Sequence, residues 1–182
     1  VIGIARDITE RKRAEEELLR HTERIGVTAE LTRIITSSLN IEDVYEAFIA
    51  GVKKLVDFDR ASIALVEGDR LRFLAVSSAV ETELGTGASV PLEGTATAWV
   101  VAHKKTNIET DFAKNRQFST SEALLRSGLR SAIWLPLVSR GEVIGTFSFS
   151  SRRPDAYGKR EREILEELAG QIAVAIEKDR LY

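Results

Sequence analysis

The chain has 182 residues, 43% hydrophobic and 30% charged, the balance of a soluble globular protein with one packed domain and an appendage. A formal net charge of -2 gives no electrostatic ground for a nucleic acid or an anionic membrane as partner, and no apolar run is long enough to span a bilayer. The absence of cysteine removes disulfides, thiolate nucleophiles and iron–sulfur clusters, and the two histidines, His21 and His103, leave little for metal or acid–base chemistry.

The chain opens on Val1-Ile2-Gly3-Ile4-Ala5 without an initiator methionine, and reads as a piece of something longer. Residues 1–9 read as a short strand ending in Asp7-Ile8-Thr9. A helix is expected from Glu10 to about Leu39, because the stretch lacks proline and is rich in Glu, Arg, Ala and Leu. A heptad reading puts Ala14, Leu18, His21, Ile25, Thr28, Thr32, Ile35 and Leu39 on one seam, as two parallel helices packing side by side require. Gly26 is a candidate kink or junction in this helix.

Asn40 is placed to cap a second helix with Val44, Phe48, Val52, Leu55 and Val56 on its apolar face. Strands are expected at Arg60–Glu67 and Arg70–Ser77, joined through Gly68-Asp69. Ser89–Leu92 reads as a short strand, Thr95–His103 as a helix carrying Trp99, and Asn107-Ile108 as a brief extended piece. Ser119-Thr120-Ser121-Glu122 has the form of a capping box opening a short helix that stops at Gly128. A second hairpin is expected from Ser131–Val138 and Glu142–Ser150 through Arg140-Gly141. The final helix runs from about Lys159 to Tyr182, with Leu165, Leu168 and Ile172 at heptad-like spacing and Tyr182 continuing the seam. This order predicts an α+β fold: a central antiparallel sheet with the terminal helices on one face, small helices and loops on the other, and a long N-terminal helix.

Side chains alternate across a strand, so each strand has two faces to compare. On the last strand, Val143, Gly145, Phe147 and Phe149 oppose Ile144, Thr146, Ser148 and Ser150. On the first, Ile63 and Leu65 oppose Ser62, Ala64 and Val66. The bulky faces suit the terminal helices. The small and hydroxyl-bearing faces suit the floor of a cavity roofed by the segment from Trp99 to Phe118, or a face lined only with water or loops. The candidate pocket residues are Ser62, Ala64, Val76, Thr146 and Ser148, with the aromatics Trp99, Phe112, Phe118 and Trp134. The candidate dimer residues are Leu18, Ile25, Thr32, Ile35, Leu39, Leu165, Leu168 and Ile172. Arg152-Arg153 and the Lys114–Arg116 cluster read as solvated charge.

Three blocks carry a family resemblance: Leu129-Arg130-Ser131 with Pro136-Leu137, then Gly141-Glu142-Val143-Ile144-Gly145, then Leu168-Ala169-Gly170-Gln171-Ile172-Ala173 through Glu177. In this order they resemble a bacterial GAF domain over about Ile25 to Tyr182. Separately, Gly3-Ile4-Ala5-Arg6-Asp7-Ile8-Thr9-Glu10-Arg11-Lys12-Arg13-Ala14-Glu15 resembles the last strand and exit linker of a PAS domain. The resemblance implies three parts: a PAS end over 1–9, a helical coiled-coil linker over 10–24 and a GAF domain over 25–182. It implies a small-molecule pocket on the sheet face away from the terminal helices.

Specific GAF chemistries fail on particular residues. Covalent bilin attachment and methionine-sulfoxide reduction need a cysteine. Cyclic-GMP binders carry an Asn-Lys pair where this chain has Ser151-Arg152, and the acidic pair expected near Tyr157–Glu161 is out of place. Haem has only His103 as a candidate ligand, at the basic end of a helix where a surface cation is the simpler account. The expected function is a non-catalytic, cytoplasmic sensory and transmitting module. Its expected setting is a homodimeric sensor histidine kinase, with the effector domain in the same chain and a parent that could be membrane-tethered elsewhere. A ligand-free spacer and the sensory part of a cyclic-dinucleotide cyclase or phosphodiesterase are the alternatives.

Overall fold

The computed structural model describes residues 2–181. Val1 and Tyr182, expected at the start of a strand and the end of a seam, lie outside the described residues. The elements in chain order are α1 (Ile2–Thr36), α2 (Ile41–Val52), β1 (Arg60–Glu67), β2 (Arg70–Ser78) and β3 (Ser89–Pro91). There follow α3 (Ala96–His103), β4 (Asn107–Glu109), α4 (Ser119–Arg126), β5 (Ser131–Ser139), β6 (Glu142–Ser151) and α5 (Lys159–Leu181). The six strands form one antiparallel sheet in the order β3-β2-β1-β6-β5-β4, which places the first hairpin beside the second. The expected α+β architecture is the one observed.

Turn chemistry fixes the second hairpin. Arg140 and Gly141 both have positive φ, 52° and 78°, the requirement of a two-residue turn whose twist matches its strands. On one face of the sheet, α2, α5 and the C-terminal part of α1 bury a continuous apolar core. Phe147 and Phe149 of β6 stack edge-on at 4.5 Å, and reach Phe48 of α2 at 6.1 Å and Phe58 at 5.2 Å. Burying one such side chain contributes about 1.5–3 kcal/mol. The opposite face carries α3 and α4 over two smaller apolar clusters.

Five local expectations need correction. Residues 2–9 are helical, because α1 begins at Ile2 rather than after Thr9. A strand there has no neighbour to satisfy its backbone, whereas a helix satisfies its own. At its other end α1 stops at Thr36, short of Leu39. Thr36 and Ser37 hydroxyls donate back to the Thr32 and Ile34 carbonyls, the local competition by which such residues unsettle a helix.

The alternation on β6 breaks at a bulge. Leu137 pairs with Gly145 and Val138 with Val143, leaving Ile144 as the extra residue. Ile144 thereby packs on the helical core and Val143 on the opposite face, the reverse of simple alternation. The capping box of α4 is also absent: the N-cap is Phe118, without a side-chain cap bond. Ser119 donates instead to the Gly94 carbonyl and Thr120 accepts from the Ala96 amide, so both hydroxyls tie α4 to the start of α3.

The expected seam divides. Leu18, Ile25 and Leu39 are exposed, but Ile35, Leu165, Leu168 and Ile172 are core residues of the same chain. On α5 the heptad-like spacing serves packing on the sheet, which needs the same stripe as a partner helix. Thr32 also faces inward and donates to Gln171 Oε1 at 2.9 Å, while Arg24 pairs with Glu167 at 3.7 Å. These contacts seat the second half of α1 on α5; every residue from Gly3 to Glu23 is exposed.

Candidate functional site

β1 and β6 lie side by side in the middle of the sheet, and their small side chains share the face away from the terminal helices. Ser62 and Ser148 are directly opposed, their hydroxyls 2.7 Å apart. Thr146 hydrogen-bonds Thr97 of α3 at 2.8 Å. Ala64, Thr146 and Ser148 line a cavity, and Trp134 forms one wall. The roof is Thr97 of α3, Thr120 and Leu124 of α4, and Leu84 from the segment joining β2 to β3. The enclosed space is only about 10 Å³, room for roughly one water.

The other expected pocket residues sit around this space rather than in it. Ser62 lies beneath it, bonded to Ser148, and Val76 packs on the cluster formed by Leu71, Phe73 and Ala64. Phe112 and Phe118 stand behind Trp134, at 6.2 and 6.3 Å between ring centroids, and buttress it instead of forming a lid. Trp99 stacks on His103 at 4.1 Å, and His103 Nδ1 also meets the Trp99 carbonyl at 2.8 Å. His103 therefore sits on the exposed side of α3, apart from the cavity.

Arg60, at the start of β1, is the functional candidate that sequence reasoning missed. Its side chain is 2% exposed and lines the cavity. Nη2 donates to the Leu84 carbonyl at 2.7 Å and Nη1 to Ser62 Oγ at 3.3 Å, while Nε has no partner. The guanidinium lies over the Phe73 ring at 5.5 Å. Among the described residues no carboxylate forms an ion pair with it; every salt bridge in the fold involves other cations. Removing a guanidinium from water costs several kcal/mol, and burial lowers the Arg60 pKa to about 10, with Tyr45 acting in the opposite direction. Strand parity was the available signal, since Arg60, Ser62 and Ala64 alternate onto one face.

The remaining polar groups hold the scaffold. Arg130, from the first of the three sequence blocks, grips Asp111 through two bonds of 2.8 and 2.7 Å and keeps that carboxyl below its usual range. Arg152 and Arg153, expected as solvated charge, pair with Asp59 at 3.7 Å and Asp57 at 3.2 Å. Tyr157 is a core residue on the helical side of the sheet. Glu109 of β4 is buried; Ser121 donates to its Oε1 at 2.8 Å, Oε2 has no partner, and burial raises its pKa. Among the described residues no group of three metal-binding side chains is assembled, and no helix is long and apolar enough to cross a membrane.

A GAF domain family model matches residues 38–177. Among solved structures, the GAF domain of a two-component sensor histidine kinase from Bacillus halodurans is 23% identical with a TM-score of 0.70, over 80% of this chain and 99% of that one. The GAF domain of an Acinetobacter phosphoenolpyruvate-protein phosphotransferase is 17% identical with a TM-score of 0.71, over 87% and 96%. The phycoerythrobilin-bound GAF domain of a cyanobacterial phytochrome is 20% identical with a TM-score of 0.71, over 88% and 98%. No curated protein sequence matches the chain significantly. The structural likenesses are likenesses of fold, but the family match spans most of the residues and includes all three sequence blocks: the chain belongs to the GAF domain family.

Proposed function

We propose that this chain is the sensory and signal-transmitting module of a multidomain bacterial signalling protein, of the sensor histidine kinase kind. In this reading a small molecule in the β1–β6 cavity biases the packing of α1 and α5 in a parallel homodimer. The observation that carries it is the thinness of the barrier between the two. Along β6, Thr146 and Ser148 face the cavity, while Phe147 and Phe149, alternating with them, face the helical layer. A shift of β6 on one side therefore moves the Phe147–Phe48 and Phe149–Phe58 contacts on the other, within the core that α2 and α5 share.

The exposed apolar residues of α1 support the dimeric half of the reading. Ile4, Ile8, Leu18, Leu19 and Ile25 are each at least half exposed, on a helix whose residues 3–23 are all exposed. An isolated helix of that length is marginal in water, and a second copy is the simplest source of burial. The sequence resemblance of Gly3–Glu15 to a PAS exit, helical here rather than a strand, fits an upstream sensor feeding this helix. Ligand binding transmits only if affinity differs between two packings of the helices.

A second reading, the ligand-free spacer, is favoured by the nearly closed cavity. Two measurements test the proposal. Solution mass at high concentration should be that of a dimer. A metabolite screen by thermal unfolding should give at least one compound that raises the Tm by linkage, where a spacer gives none.

A further inference from the structure

The β1–β6 cavity combines a buried cation and an apolar wall, and one unpartnered hydroxyl lies beside the cation. A guanidinium has five N–H donors, and Arg60 uses two of them, on Leu84 O and Ser62 Oγ. Nε is buried without an acceptor. Ser150 stands directly opposite Arg60 in the β1–β6 ladder, and its hydroxyl is also buried without a partner. Two unpartnered polar groups thus stand on opposed residues, beside a buried positive charge that pairs with no carboxylate among the described residues. Native interiors rarely tolerate either, and an anion satisfies both.

We propose that the cavity takes a small carboxylate with an apolar body, and that Arg60 recognises the carboxylate. The inference rests on the pocket reading above and narrows it to a ligand class. A planar carboxylate matches the planar fork of a guanidinium, with charge-assisted bonds that a neutral group cannot equal. The apolar body is assigned by the rest of the lining, where Leu71, Phe73, Leu84, Leu124 and Trp134 offer no charge. The enclosed 10 Å³ is too small for such a molecule, so entry displaces the roof at Leu84, whose carbonyl competes for the same guanidinium. Arg60 itself stays on the strand, and the ligand exchanges a backbone carbonyl for a carboxylate.

The test uses the whole chain with carboxylates of three to eight carbons, among them isovalerate, and with isovaleramide and inorganic phosphate as controls. At about a hundredfold excess over its Kd, at least one carboxylate should raise the Tm by about 5 °C or more. Its neutral amide should do nothing comparable. Arg60→Met should fold, since an apolar side chain of similar length replaces a buried charge, and should bind that carboxylate at least about tenfold more weakly. In the unaltered protein the Arg60 Nε–H resonance should shift with the carboxylate and not with the amide, a readout independent of how the variant folds.

Equal stabilisation by acid and amide, or an Arg60 Nε–H signal that ignores the carboxylate, overturns the inference and leaves the pocket reading standing. Protection by phosphate without any by carboxylates overturns the assigned class. If no carboxylate and no neutral metabolite binds, both this inference and the pocket reading fall.

Discussion

Thr97 of α3 and Thr146 of β6 join hydroxyls at 2.8 Å, and both side chains are almost wholly buried. This bond fastens the roof of the cavity to its floor. Thr97→Val keeps the shape but strands the Thr146 hydroxyl, and should cost about 1–3 kcal/mol. The double variant with Thr146→Val should lie closer to the parent, because neither hydroxyl is then left unpaired. Urea midpoints for the parent and the variants give the comparison; equal losses in single and double variants would assign the cost to packing.

Gly145 should tolerate no side chain. A Cβ at that position runs into the carbonyl oxygen of Ala64 on the neighbouring strand, which is backbone and cannot step aside. Gly145→Ala should therefore destabilise by about 1–3 kcal/mol through overpacking. Chemical unfolding measures it, and Gly26→Ala is the control: nothing lies near a Cβ there.

Glu109 should make stability fall as pH rises through the weakly acidic range. Burial raises its folded pKa above the ordinary 4.5. Below about pH 4.5 both states are protonated and the penalty is absent. As pH rises the unfolded chain ionises first, so the fold loses stability until the folded carboxyl ionises too. Glu109→Gln should accordingly have the higher Tm at pH 7.5 and no advantage at pH 4. A Tm difference that is constant across that range would contradict the burial argument.

Asp111 should act with the opposite sign. The Arg130 guanidinium bonded to it holds its carboxyl low, so its contribution is present above the usual carboxylate range and lost as pH falls through the folded value. Asp111→Asn should lower the Tm at neutral pH, and the gap should close in strong acid. The same thermal scans, run to pH 2, supply the check.

If α1 pairs with a second copy, Leu18→Glu with Ile25→Glu should halve the solution mass. Helicity by circular dichroism should fall with it, because residues 3–23 are exposed and an isolated helix of that length is marginal in water. The core should be untouched, since both side chains are exposed. An unchanged mass would remove this face from the dimer.

The two hairpins were legible because their turns announce themselves: Gly68-Asp69 and Arg140-Gly141 separate runs of alternating residues, and their strands agree to within a residue or so, whereas the strand expected over 1–9 had no such turn and is a helix. The family blocks had the same origin, with Gly141 needed for its positive φ and Gly145 for the approach of Ala64. What alternation cannot show is a bulge, so Val143 and Ile144 were placed on the wrong faces. A heptad stripe likewise cannot say whether it meets a sheet or another helix, and this misplaced Leu165, Leu168 and Ile172. Arg60 escaped because charged residues at strand ends are ordinarily solvated. Only the observed burial singles it out. The cavity's closure was not legible at all, since it depends on how Leu84, Thr97 and Leu124 converge from three separate segments.

The free half of α1 turns a small adjustment into a large one. The helix is held against the domain between about Val27 and Ile35, a span of roughly 12 Å, and continues to Gly3, roughly 48 Å from Ile35. Treated as a stiff rod pivoting at Ile35, a sideways step of about 1 Å at Val27 becomes about 4 Å at the far end. Thr32 sits near the fulcrum, and its bond to Gln171 sets the angle. An adjustment of α5 against α1 is thus multiplied about fourfold by the time it reaches the tip.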